Sequence, residues 1–273
     1  MLIAIDFGIS NTDIVVNDKG AYKFFSHPTD EKINERFLEK IFSYIDIPAG
    51  NFSLIGVTGG KSSDLSDEYH NVKILKVNEV DAIAMGAKSI FKINDGLPFV
   101  AISAGTGTAC IYNDNGVTTH LGGISVGGGT LQGLSKKLLN EDSSATLEKL
   151  SLAGNRTNLD SLIGEVVNDI GSLHPEITAS NFEKAKYSDD HSNSDIAASL
   201  SNMVGEIIGT ISYLNALLMG VSEVFFIGRV ANLEVVRTGI TDRLELASIK
   251  GNFDSQSGFG NALGVMFFLN KES

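Results

Sequence analysis

Cysteine is nearly missing: Cys110 stands alone in 273 residues. No disulfide can form within the chain, which fits a reducing compartment. Set inside the apolar run "ACIY", a single Cys reads as a small buried hydrophobe and not as a catalytic thiol. Positive charge is also short, with 21 Lys and Arg against 33 Asp and Glu and a net charge of −12. That argues against non-specific binding to nucleic acid or to an anionic membrane, since both select basic surfaces. His27, His70, His120, His174 and His191 are scattered, without the spacing of a metal cluster. No apolar run reaches the roughly 18 residues that cross a bilayer. No charged-then-apolar leader precedes the first apolar run. The expectation is a cytoplasmic protein with neither a membrane nor a nucleic acid as partner. Proline is scarce at four, whereas glycine reaches 29. The glycines cluster at 56–60, 105–107, 122–133 and 258–264. Beside apolar runs, such clusters mark backbone brought close to a ligand.

What is present is α/β patterning, on a chain long enough for one large or two modest domains. "IAIDFGISNTDIVV" (3–16) reads as strand, tight turn, strand, and 21–25 as a third strand. The spacing over 31–45 predicts a helix with Ile33, Phe37, Leu38, Ile41 and Ile45 on one face. Strands are expected at 53–58 and 72–77. A helix over 79–93 follows, entered through Asn78 and Glu79, with Val80, Ile83 and Ala84 inward. "PFVAISAGTGTACIY" repeats the opening grammar of apolar run, small polar turn, apolar run, and 117–121 is a third strand. "GGISVGGGTLQGLSKKLL" is a glycine loop feeding a helix. Residues 142–195 read as polar and mostly helical, with a soft spot at 187–194. A long helix is expected at 195–219, a strand running into a Gly turn at "SEVFFIGRVAN", and a Gly-started helix at 258–269. Two halves that each open with a hairpin suggest a duplicated α/β domain with a ligand in the cleft between the copies.

The turns are candidate phosphate sites. In the first, Gly8-Ile9-Ser10-Asn11-Thr12, a short turn can aim backbone N–H groups at phosphate oxygens. Asp6, at the strand end, can hold Mg²⁺ through water. Taken alone, an ordinary hairpin explains this stretch better. The second turn, Ser103 to Thr108, has two glycines with interleaved hydroxyls and is a better cradle, although a plain hairpin stays open. It is not a dinucleotide fingerprint, because a strand follows where a helix is needed. "GGKSS" (59–63) is not a P-loop: the position five before Gly60 is Ile55. Gly127-Gly128-Gly129-Thr130 is the strongest signal, since a helix start has unpaired N–H groups and a dipole that favours anions. Glu79 is either a helix-start capping acid or a general base facing the cleft, and Asp81 competes for that role. The turn at "IGRVAN" (227–232) can cover an adenine or be a plain corner.

Together these pieces resemble the actin-like, sugar-kinase-like ATPase superfamily, and more closely the type II pantothenate kinases. The resemblance rests on "DFG" (6–8), "VTGG" (57–60), "NEVDA" (78–82), "AGTGT" (104–108), "LGGISVGGGTLQGL" (121–134), "GNRTNLDSLI" (154–163), "TASNF" (178–182), "MVGEII" (203–208), "FIGR" (226–229) and "GNALG" (260–264). It implies two ribonuclease H-like (actin-like ATPase) domains, 1–95 and 96–273, around a nucleotide cleft, with the C-terminal helix packing back on the first. It implies an ATP- and Mg²⁺-dependent kinase acting on the primary hydroxyl of pantothenate, working as a homodimer with the long helix near the interface. Carried over, Glu79 is the general base and Asp6 the metal-side acid. Gly8, Ser10, Asn11, Gly105, Thr106, Gly107, Gly127, Gly128, Gly129 and Gly228 bind nucleotide. Glu79, Thr106, His120, Gly122 and Gly123 bind substrate. The chain departs from the family pattern in two places: in the first turn Asp13 stands where a Lys is usual and Ile9-Ser10 where Gly-Thr is usual, and His120 stands where an Arg is usual. Two other readings therefore stay open: a kinase of this fold for another small alcohol such as an amino sugar, and a binding protein that has lost catalysis.

Overall fold

The computed structural model describes residues 1–168, 174–188 and 190–272. Its frame is two mixed sheets of matching topology. The first contains β1 (Leu2–Phe7), β2 (Asn11–Asp18), β3 (Ala21–Pro28), β4 (Leu54–Thr58), β5 (Glu68–Tyr69) and β6 (Val72–Lys76), in the order β3-β2-β1-β4-β6-β5. The second contains β7 (Phe99–Ala104), β8 (Thr108–Asp114), β9 (Val117–Ile124), β12 (Glu223–Ile227) and β13 (Lys250–Asn252), in the order β13-β12-β7-β8-β9. Each begins as an antiparallel meander and is extended by parallel strands on the far side of its first strand. The echo between the two opening hairpins is thus an echo of whole sheets. A two-stranded ribbon, β10 (Ser161–Leu162) with β11 (Thr178–Ser180), stands apart.

Strand β1 is buried on both faces, and its alternation sorts them. Ile3, Ile5 and Phe7 join the core under α1 (Glu35–Ile45). Leu2 and Ala4 pack with Val265, Met266 and Leu269 of α8 (Gly260–Glu272). Asp6 follows Leu2 and Ala4 in phase, so its side chain belongs to the α8 face. Register pairs Asp6 with Asp13 and Ala4 with Val15, which puts Asp13 on that face as well. In the second sheet, Val100, Ile102 and Cys110 face α6 (Asn193–Met219) and α7 (Glu234–Glu245). Phe99, Ala101 and Ile227 face α2 (Glu79–Phe91).

Helices α2 and α8 therefore form the layer between the sheets. They cross almost backbone to backbone. A Cβ on Gly264 would lie 1.8 Å from the Ala82 carbonyl oxygen, and one on Gly86 would lie 2.1 Å from that of Gly260. Only glycine allows so close an approach.

Several sequence expectations needed correction. The helix expected at 31–45 begins at Glu35, because Asn34 turns outward and its side chain accepts the Phe37 N–H. Among the described residues, the stretch 142–195 is not mostly helical. It holds α4 (Ser144–Ala153), the short α5 (Ile163–Val166), the ribbon and 3-10 turns. The soft spot at 187–194 includes residue 189, outside the described residues, and α6 already starts at Asn193. No element was expected over 233–257, where α7 and β13 lie. The last helix starts at Gly260, after a 3-10 turn at Ser255–Phe259. α3 (Gly128–Leu139) follows the glycine loop as expected.

Candidate active site

The hairpin turns of the two sheets meet. Ser10 Oγ and Thr106 Oγ1 are 2.9 Å apart, although 96 positions separate them in the chain. This contact places the β1–β2 turn against the β7–β8 turn at one end of the cleft. The first turn is backed by the corner after β4. Gly59 and Gly60 have φ of +73° and +47°, and a Cβ on Gly59 would lie 2.5 Å from Asp6 Oδ1. The "GGKSS" stretch is thus a strand-end corner that closes over Asp6. The second turn is braced from behind. The Gly128 N–H donates to the Gly105 carbonyl at 2.8 Å, and the Gly129 N–H to that of Thr106 at 2.9 Å. This corrects one expectation, because two N–H groups at the start of α3 that were read as open to an anion are already spent. Gly127–Gly129 shape the second turn by packing on it. The "FIGR" turn adjoins both: a Cβ on Gly228 would lie 2.3 Å from the Ala104 carbonyl oxygen, and Val230 touches Gly128.

The carboxylates lie beside this junction. Asp6 is 9% exposed. Burial, then the charge of Asp13, then that of Glu79 push its carboxyl up to about 8, while Asn261 and Arg229 pull the other way. Glu79 is the first residue of α2, whose start is capped by Asn78 accepting the Val80 N–H at 2.9 Å. The cap fixes where α2 begins, and so where Glu79 stands. Asp13, 5% exposed, is gripped by both terminal nitrogens of Arg229. Nη1 donates to Oδ2 at 2.8 Å, and Nη2 donates to Oδ1. Nη2 also donates to Ser26 Oγ at 3.0 Å, and the guanidinium sits 5.5 Å from the Phe259 ring centre. A buried acid on a strand demands such a partner.

The family model for Fumble matches residues 88–238. A type II pantothenate kinase of Bacillus thuringiensis subsp. konkukian (strain 97-27) is 35% identical over 243 residues, covering 83% of this chain and 82% of that protein. One from Bacillus cereus (strain G9842) is 31% identical over 276 residues and covers 98% of both chains. This chain belongs to the type II pantothenate kinase family. Solved structures share the fold at lower identity. The activator of 2-hydroxyisocaproyl-CoA dehydratase from Clostridium difficile, with bound ADPNP, superposes with a TM-score of 0.67 at 17% identity, over 99% of this chain and 94% of that one. A ROK family glucokinase from Streptomyces griseus, in complex with glucose and AMPPNP, gives 0.62 at 13% identity over 98% of both. The architecture is the two-sheet, actin-like ATPase fold expected from the sequence.

Against what the type II pantothenate kinase resemblance implies, the structure gathers Asp6, Gly8, Ser10, Gly105, Thr106, Gly107, Gly127, Gly128, Gly129 and Gly228 around one junction. Glu79 lies within electrostatic reach of Asp6. His120 lies exposed on β9, the outer strand of its sheet. Gly122 and Gly123 have a backbone reason to be glycine. They follow a β-bulge opposite Cys110 and Ile111, Gly122 has φ of +109°, and a Cβ on Gly123 would lie 2.2 Å from the Thr108 carbonyl oxygen. Cys110 is fully buried, and burial pushes its thiol up to about 12, in line with a structural role. Sequence reasoning missed Arg229, Ser26 and Asn261. The available signal was the arginine inside the quoted "FIGR" segment. Nothing in its spacing points to Asp13. Among the described residues no cluster of three or more His, Cys, Asp or Glu could hold a metal by itself.

Proposed function

We propose that this protein phosphorylates the primary hydroxyl of pantothenate with ATP, yielding 4'-phosphopantothenate and opening coenzyme A biosynthesis. Family membership supports the reaction, and the Ser10–Thr106 contact supports the site, because it brings two distant hairpin turns together where a triphosphate would be held. Phosphoryl transfer asks a protein mainly for alignment and charge neutralisation. Backbone N–H groups of Gly8–Asn11 and of Thr106–Gly107 would hold the β- and γ-phosphates in line with the acceptor. Gly127–Gly129 keep the second turn in shape, and Gly228 brings the "FIGR" turn beside the nucleoside. Glu79 would accept the hydroxyl proton as the alcohol oxygen attacks phosphorus. His120, Gly122 and Gly123 are assigned to the acceptor side.

Asp6 suits Mg²⁺, which takes one or two carboxylates and otherwise water and phosphate oxygens. It is a buried acid whose acidic neighbours are Glu79 and Asp13, the latter held by Arg229. When bound, Mg²⁺ supplies neutralisation of phosphate charge. We further assign 1–95 and 96–273 as the two domains and the cytoplasm as the location. We also propose a homodimer through α6, where Leu214, Leu217 and Leu218 form an exposed apolar stripe.

The test is an ADP-release assay with ATP, Mg²⁺ and either pantothenate or a panel of small alcohols including amino sugars. Turnover with pantothenate that falls by about 10²–10⁴ in Glu79→Ala is the expected result. Turnover with another alcohol alone would reassign the substrate. An unchanged rate in Glu79→Ala would remove the base assignment.

A further inference from the structure

Asp13 and Arg229 come from opposite sheets and meet beside the phosphate junction. Asp13 lies on β2, three residues past Ser10 and directly opposite Asp6. Arg229 follows β12, between Gly228, which packs on the end of β7, and Val230, which touches the glycine loop. Its guanidinium therefore reaches from the second sheet across to Asp13 on β2 and Ser26 on β3 of the first. The geometry is that of a held arginine. Asp13 takes both terminal nitrogens, Ser26 takes a further N–H, and Phe259 supports the plane. Three of the five N–H donors are used in this way, and two remain. The side chain of Arg229 is 43% exposed, against 7% for Asp13. The acid is thus buried and fully committed, while the cation keeps an open side.

We propose that Arg229 is a polyphosphate-contacting residue and that Asp13 is the positioning residue that aims it. This rests on the kinase reading above only in placing a nucleoside triphosphate at this junction. The ligand class is the β,γ-diphosphate of a nucleotide, for which a planar, pre-aimed guanidinium is well suited. An acid in the first turn then stops being an obstacle to phosphate: it anchors the cation supplied by the other half.

Binding of ATP, ADP and adenosine, measured by calorimetry with Mg²⁺, tests this on the full chain. Arg229→Gln should weaken ATP and ADP at least tenfold and leave adenosine within twofold. Arg229→Lys should recover part of the loss. Removing both charges in Asp13→Asn/Arg229→Gln leaves no unpaired buried acid, so this variant should fold as wild type does, and it should remain as weak for ATP as Arg229→Gln. Asp13→Asn alone should weaken ATP more than adenosine and raise KM for ATP with KM for the alcohol unchanged.

Three results would each overturn the proposal. They are ATP affinity within twofold in Arg229→Gln, equal losses for adenosine and ATP, or recovery of ATP affinity in the double variant. The last would mean that Arg229 only cancels Asp13. A wild-type protein that binds ATP but does not phosphorylate pantothenate would refute the substrate assignment alone. One that binds no adenine nucleotide would refute both.

Discussion

Asp6 costs the fold stability wherever its carboxyl is ionised. Its carboxyl is held near 8 in the fold, against 3.8 for a free side chain. A raised value means that the folded state keeps a proton which the unfolded chain releases. The stability this group contributes is complete below about pH 4 and is lost as pH rises through 8. Replacing it by Asn removes that loss. Urea melts of the nucleotide-free protein should show Asp6→Asn level with wild type near pH 4. By pH 8 it should be more stable by up to about 5 kcal/mol. Its kinase activity should fall sharply in the same preparation. A variant less stable than wild type at pH 8 would contradict the charge crowding described for this site. The sequence showed the acid at the strand end but not its crowding. Glu79 is 73 positions away in the numbering, and Arg229, which relieves Asp13, is 216 positions from it.

At the scale of elements, the helix pair between the sheets makes a sharper claim. The backbone oxygens facing Gly264 and Gly86 cannot swing aside as a side chain would. Gly264→Ala and Gly86→Ala should each cost at least about 2–3 kcal/mol in urea unfolding. Gly133→Ala is the control, since nothing lies within 4 Å of its added methyl on α3. It should gain about 0.5–1 kcal/mol from helix propensity. Elements were legible in proportion to how locally they are specified. The hairpins at 2–18 and 99–114 carry buried apolar runs and small-residue turns, so they could be read directly. The segment from 154 to 187 could not. Its described residues are tied by long-range polar contacts: Asp160 accepts the Phe182 N–H at 2.9 Å and the Ser199 hydroxyl, while Arg156 donates to Thr178 Oγ1 at 2.8 Å and to the Glu176 carbonyl. Such contacts leave no hydrophobic period in the sequence. Helix α7 (Glu234–Glu245) is unbroken, but Gly239, a poor helix former, sits in it where the backbone passes close to Asn202 of α6, and its pattern was not legible as a helix.

For the whole molecule, the two halves touch through their turns as well as through α2 and α8. The hydroxyls of Ser10 and Thr106 are at hydrogen-bond distance, so no phosphate oxygen fits between those two atoms in this arrangement. If the triphosphate runs between the two turns, nucleotide has to enter a form in which they have parted, and the contact re-forms the junction around it or beside it. This bears on time more than on affinity. Arrival of ATP would be limited by how often the protein opens by itself, and crowding the solution with nucleotide would not push that frequency higher. In stopped-flow mixing with a fluorescent ATP analogue, the observed rate should climb and then level off with concentration. Ser10→Ala, which frees the Thr106 hydroxyl, should raise the plateau. A rate that stays linear to millimolar nucleotide would mean that the turns stand apart in solution. If the rate levels off instead, a 2.9 Å contact between two small hydroxyls acts as the clock of the enzyme, marking when each catalytic cycle can begin.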